Sequence, residues 1–192
     1  MRRAWIKALL LDKINDAPVV LLEIEGTNKV VPIWIGPCEA YALALALDGM
    51  KFGRPLTHDL IFNFLEALDV TIEMVVIHTV KDNTFYANIV LKDLTYGDEE
   101  TGEEAPFIEI DARPSDSMIL AVKGGIPIYV SNEIVNEHAV DLEGISISEG
   151  EENEDEQFKR FVGNLDIDAF RKFLEERRRE EGEKGEGEGD EP

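Results

Sequence analysis

A proline set just inside an apolar run constrains this chain more than any other feature. In Asp111-Ala112-Arg113-Pro114-Ser115-Asp116-Ser117-Met118-Ile119-Leu120-Ala121-Val122, Pro114 fits the first helical position, where its missing N–H costs nothing. The run from Met118 to Val122 is apolar on every side, so the helix it predicts must be buried. Its charged N-terminus then has to open at a seam or cleft. A helix start carries partial positive charge and free N–H groups, which suit either an acidic side chain such as Asp116 or an anionic ligand.

Around this helix the chain alternates β-rich runs with turn clusters. Trp5 to Leu11 and Val19 to Ile24 flank Asn15-Asp16-Ala17-Pro18 and read as a hairpin. Val30 to Ile35 follows as a strand dense enough to be covered on both faces, with Pro32 arguing for an edge or a bulge. Val70 to Val80 and Thr84 to Leu91, joined by Lys81-Asp82-Asn83, form a second hairpin expected at the centre of the sheet. His78 falls inside it and is expected to be a hydrogen-bonded structural residue. Phe107 to Ile110 feeds directly into the helix, Lys123-Gly124-Gly125 ends it, and Ile126 to Val130 returns as a strand, a crossover unit. Ser131-Asn132-Glu133 can cap a short helix through His138, read as surface-exposed.

Two more helices are predicted. Cys38 to Leu47 is rich in Ala and Leu, with Pro37 at a suitable start and Gly49 as a stop. Glu39 lies in its first turn, where the dipole favours a carboxylate. In the second, Thr57 is the expected N-cap, and Leu60, Ile61, Phe64, Leu65 and Leu68 recur at helical spacing as a core-facing stripe. Its opening, Arg54-Pro55-Leu56-Thr57-His58-Asp59, echoes Arg113-Pro114-Ser115-Asp116. Each leads from Arg-Pro to a hydroxyl and an aspartate, so the two helix mouths either share one cleft or are two good caps. The whole describes an α+β domain: a mostly antiparallel or mixed sheet with hairpins, packed against two or three buried helices, plus a C-terminal helical appendage. The expected boundaries are a domain over 1–145, an acidic linker over 146–157, an amphipathic helical extension over 158–181, and a Glu/Gly-rich disordered tail over 182–192.

Charge limits the partners. The chain carries 19 Lys+Arg against 41 Asp+Glu, net −22. Cutting after Ser148 leaves 11 basic and 24 acidic residues before the cut (net −13) and 8 and 17 after it (net −9), so the acidity belongs to the domain as well as the tail. Nothing this acidic draws nucleic acid by its net field, and a nucleic-acid role needs a local basic patch, metal ions or both. A single cysteine, Cys38, excludes an internal disulfide and a multi-cysteine zinc site. No apolar run reaches the roughly eighteen residues that span a bilayer, and the start shows no leader pattern. The expectation is a cytoplasmic protein with no membrane association.

Several stretches together resemble one known family. Val31-Pro32-Ile33-Trp34-Ile35-Gly36 with Glu39-Ala40, then Arg54-Pro55-Leu56-Thr57-His58-Asp59-Leu60, Phe85-Tyr86-Ala87, Asp111-Ala112-Arg113-Pro114-Ser115-Asp116 and Pro127-Ile128-Tyr129-Val130 occur in the order seen in the bifunctional nuclease domain family, over roughly the first 140 residues. Ser117-Met118 stands where that family often has Ala-Ile. The resemblance implies an α+β domain and, as in some members, nuclease activity on RNA and DNA. By motif position it puts the polar signature on Glu39, Thr57, His58, Asp59, Asp111, Arg113, Ser115 and Asp116.

Phosphodiester hydrolysis needs an activated water, charge stabilisation at the phosphoryl oxygens, and a proton for the leaving oxygen. Glu39, Asp59, Asp111 and Asp116 can offer carboxylates to Mg²⁺ or Mn²⁺. His58 is the natural proton carrier, Arg113 or Arg54 can clamp a phosphate, and Thr57 and Ser115 can hydrogen-bond substrate. The rival expectation is a non-catalytic, oligomeric interaction module in which the same charges are structural pairs and the C-terminal helix recruits a protein. A homodimer is the preferred assembly in either case.

Overall fold

A computed structural model describes residues 1–12, 17–95 and 106–142. The chain divides into a first unit, Met1–Glu149, and a second, Gly150–Pro192. The acidic linker, the amphipathic extension and the Glu/Gly tail lie outside the described residues, as do Asn15-Asp16 of the first expected turn and the acidic stretch following Tyr96.

Among the described residues, β1 (Arg2–Asp12), β2 (Ala17–Ile24), β3 (Lys29–Trp34), α1 (Pro37–Leu47), α2 (Thr57–Ala67), β4 (Val70–Lys81), β5 (Thr84–Asp93), β6 (Phe107–Ala112), α3 (Pro114–Gly124), β7 (Ile128–Val130), α4 (Asn132–His138) and β8 (Val140–Asp141) follow in that order. The strands form one mixed sheet in the order β6-β5-β4-β7-β1-β2-β3-β8. The fold is α+β, as the sequence predicts. Both expected hairpins form, β1 against β2 and β4 against β5. Tight turns at Asp82 and Asn83, both at positive φ, close the second.

The β4–β5 hairpin is not at the centre of the sheet. The two middle places are taken by β1 and by β7, three residues long, which pairs antiparallel with β1 and parallel with β4 and so joins two meanders. The chain reaches β7 by a crossover, β6–α3–β7, that passes over β5 and β4. Pro32 pairs with Leu21 in register, while β8 covers only Lys29 and Val30 of β3. The proline therefore sits where the outer side of β3 has no ladder to lose a hydrogen bond from.

The apolar run that opened the argument is the centre of the core. Met118 and Ile119 are fully enclosed and Leu120 nearly so, packed with Val20, Leu22, Leu43, Val75, Ile77 and Ile134. Burying such side chains stabilises the fold by about 1.5–3 kcal/mol each. Gly125 at φ 65° ends α3 in the left-handed region, as Gly124-Gly125 predicts. Gly124 has its own role: a Cβ there would meet Phe62 Cζ at 2.9 Å, so the missing side chain lets α2 lie close to α3.

Helix α2 differs from expectation. Ile61, Phe62 and Leu65 pack on the core, but Leu60, Phe64 and Leu68 are exposed. Residues spaced by four follow one line along a helix, so the periodic apolar residues of α2 form two adjacent stripes and only one can face the sheet. Its N-cap is Leu56 rather than Thr57, which is the first helical residue. The reason is Asp59, whose carboxylate accepts the Leu56 N–H at 2.9 Å and closes the turn from within. Two histidines also differ. His138 is half-buried, its ring meeting Phe85 edge-to-face at 5.7 Å. His78 is skipped at a register shift of the β4–β5 ladder, and its Nε2 is buried with no hydrogen-bond partner among the described residues, where a hydrogen-bonded side chain is expected.

Candidate active site

Three helix starts meet. Pro37 and Pro114 open α1 and α3, each preceded by extended backbone, the conformation a following proline imposes. Glu39 stands in the first turn of α1, His58 and Asp59 in that of α2, and Asp116 in that of α3, with Arg113 as the N-cap of α3.

Arg113 joins them. Its Nε donates to Asp116 Oδ2 at 2.6 Å and its Nη1 to Glu39 Oε1 at 2.8 Å. The other oxygen of Asp116 lies 3.4 Å from His58 Nε2, a long contact of the kind that unliganded sites tighten on binding. Asp116 therefore holds a guanidinium with one oxygen and an imidazole with the other. Beside it, Lys123 Nζ donates to Asp59 Oδ1 at 2.7 Å while Asp59 Oδ2 takes the Leu56 N–H. Ser117 braces the junction by donating its hydroxyl to the Arg113 carbonyl at 3.0 Å. At Gly36, a Cβ would collide with Glu39 Oε2; glycine there leaves room for the Glu39 carboxylate to fold back over its own helix start.

These contacts set the electrostatics. The hydrogen bond from Lys123, reinforced by that from Leu56, holds the Asp59 carboxyl below the usual carboxylate range against the opposing effect of burial. The hydrogen bond and charge of Asp116, followed by those of Glu39, raise the Arg113 guanidinium further above its already high value, so it is a permanent cation. The Arg113 side chain is 65% exposed and that of His58 15%, so the cation faces solvent while the imidazole lies beneath it.

The other expected site residues are placed differently. Asp111 is exposed on β6, opposite Asn88 in register, and is outside this network. Arg54 and Thr57 are exposed before and at the start of α2 and make no bond to it. Ser115 is buried in α3. Lys123 was read only as part of a helix end. Its position seven residues after Asp116 puts both on one face of α3, but nothing local names Asp59 as its partner.

The donor set does not form a ready metal cage: among the described residues no three His, Cys, Asp or Glu side chains gather as one. Both Asp116 oxygens and both Asp59 oxygens already have partners. Two cavities, of about 630 and 380 Å³, are lined by other residues. The three helix starts thus meet at a solvent-facing seam outside both cavities.

The description "Bifunctional nuclease domain" belongs to a family model that matches residues 19–143, the span that carries all three helix starts. The chain belongs to the bifunctional nuclease domain family. Along most of its length it is similar to an uncharacterized protein of Mycobacterium tuberculosis, 32% identical over 175 residues, 89% of this chain and 99% of that one. Within the domain it is similar to bifunctional nuclease 2 of Arabidopsis thaliana, 23% identical over 120 residues, 61% of this chain and 34% of that protein. Bifunctional nuclease 1 of Oryza sativa subsp. indica is likewise 23% identical, over 125 residues, 65% of this chain and 36% of that one. The chain therefore spans about a third of each of these plant proteins, and the bifunctional nuclease domain is what they share.

Proposed function

We propose that this bifunctional nuclease domain hydrolyses phosphodiester bonds of RNA or DNA in the cytoplasm, at the seam where α1, α2 and α3 begin. The observation that carries this reading is the double use of Asp116, bound to Arg113 through one oxygen and facing His58 through the other. A carboxylate on Nε2 fixes the imidazole orientation and leaves Nδ1 to take a proton from an attacking water. Arg113, anchored by two carboxylates and exposed, is placed to meet a phosphoryl oxygen through its free Nη2. Glu39 positions Arg113, and the Asp59–Lys123 pair fixes the α2 start that carries His58. Mg²⁺ or Mn²⁺, when bound with the substrate, would neutralise charge on the phosphoryl oxygens.

Wild type, Asp116→Ala and His58→Ala would be incubated with labelled single-stranded RNA and DNA in Mg²⁺, Mn²⁺ or EDTA. Cleavage by wild type and its loss in both variants is the expected result. Equal cleavage by all three proteins would expose a contaminant and remove the proposal.

A second reading has its own observations. The exposed stripe Leu60, Phe64 and Leu68 on α2, and the edge strand β6 with Phe107, Ile108 and Ile110 exposed, are surfaces that monomers usually cover. They favour a non-catalytic homodimeric module, with the C-terminal segment recruiting a protein. Absence of cleavage by wild type, with a dimer on sizing, would select this reading.

A further inference from the structure

The 630 Å³ cavity is lined by Met1, Arg2, Thr27, Lys29, Asn132, Val135 and Asn136. Three segments distant in sequence build it: the start of β1, the β2–β3 turn with the start of β3, and the exposed face of α4. Thr27 sets the turn by donating its hydroxyl to the Ile24 carbonyl at 2.9 Å and accepting the Lys29 N–H at 3.2 Å, which fixes where the lysine leaves the backbone. β1 and β3 flank β2 on either side, and the registers Ala4↔Ile24 and Glu23↔Val30 set Arg2 and Lys29 two strand spacings across and two residues along from each other, roughly 12 Å. Two long cationic side chains can close that span onto one phosphoryl group.

In a chain of net charge −22, the described residues of this lining include the cationic side chains of Arg2 and Lys29, the amides of Asn132 and Asn136, and no carboxylate side chain. Among the described residues neither Arg2 nor Lys29 has an ion-pair partner. Asp141 stands opposite Lys29 in the β3–β8 register but forms no pair with it. Arg113 at the start of α3 and Lys123 in its last turn, by contrast, are each paired with a carboxylate. The volume lies in the range that holds a small ligand. The wider acidity repels anions at a distance, but at physiological ionic strength charges beyond roughly 8 Å are screened and the nearby cations dominate.

We propose that this groove binds a phosphate ester of nucleotide size, Arg2 and Lys29 holding phosphoryl oxygens and the Asn132 and Asn136 amides facing the polar edges of the attached group. The ester belongs either to a free nucleotide or to a unit of a single strand. The site stands whether or not the helix starts hydrolyse anything, and it is tested by binding alone.

The experiment uses the full chain, ¹⁵N-labelled, in EDTA at low salt, titrated separately with inorganic phosphate, 5′-AMP and octathymidylate. Saturable shifts of the Asn132 and Asn136 side-chain amides are expected. Saturation by 5′-AMP makes the ligand a free nucleotide; saturation by octathymidylate alone makes it a strand, with a log–log salt slope of about −0.7 for the one phosphate the two cations neutralise. The Arg2→Ala/Lys29→Ala double variant should lose at least tenfold in affinity while its spectrum outside the groove is unchanged, and Lys51→Ala, an exposed lysine away from the lining, should lose nothing. Silent amides with all three probes, unchanged affinity in the double variant, an equal loss in Lys51→Ala, or inorganic phosphate binding as tightly as the esters would each overturn the proposal.

Discussion

The helix starts and the groove at the β1 and β3 starts use the same kinds of side chain in opposite ways. Around the helix starts the cations of the network are paired: Arg113 has Glu39 and Asp116, and Lys123, from the last turn of α3, has Asp59 at the start of α2. In the groove Arg2 and Lys29 have no such partner among the described residues. Paired charges hold geometry, because each hydrogen bond fixes a rotamer and three helices are tied together. Unpaired cations keep their capacity for an incoming anion. One region is thus built to orient groups and the other to receive charge, a division that net composition conceals.

The comparison can be broken in order of effect size. Replacing His58 or Asp116 by Ala should lower cleavage by about 100-fold or more, the scale of a lost general base, as read by initial rates on labelled RNA. Loss of activity from Arg2→Ala/Lys29→Ala and none from Asp116→Ala would exchange the roles assigned to the two regions. Next, Arg113→Ala removes two ion pairs at the protein surface and should destabilise the fold by about 1 kcal/mol in urea titration. Arg113→Lys should recover at most one of them, since a single ammonium cannot reproduce the forked contact.

A smaller effect depends on pH. The folded-state pKa of Asp59 is lowered by Lys123 and Leu56, so its contribution is complete above the unfolded value near about 4 and disappears as pH falls through the lower folded value. Acid unfolding of the wild type should therefore steepen below that point, and Asp59→Asn should flatten the profile there while starting from a less stable fold at neutral pH. Least of all, Arg2→Ala/Lys29→Ala should change stability by no more than about 0.5 kcal/mol, because these side chains are exposed and form no ion pair among the described residues; a larger loss in thermal melts would mean that they hold structure after all.

How far the site was legible varies residue by residue. Pro37, Pro114 and Gly125 act through the local backbone, and the helices they bound are those expected. The echo between Arg54-Pro55 and Arg113-Pro114 proved half informative: His58 and Asp59 from the first motif do meet Asp116 and Lys123 from the second, while Arg54 stays apart. Glu39 reaches Arg113 from a third helix, a meeting no spacing signals. Lys123 was missed because a cation in a last turn is satisfied by the helix dipole alone, so nothing local demands a partner. Thr57 gave up the cap to Leu56 because the bond that closes that turn comes from inside the helix.

Read alone, the order of residues determined which segments are helical or extended, which helix must be buried, and the family, because periodicity, proline and glycine act within a few residues. Tertiary structure alone decided that β7 and β1, rather than the β4–β5 hairpin, occupy the middle of the sheet. It also decided which stripe of α2 meets the core, and that Arg2 and Lys29 share a groove. The physical reason is that pairing partners and burial depend on the three-dimensional path of the chain, and a side chain's charge is available for chemistry only where that path brings no opposite charge beside it.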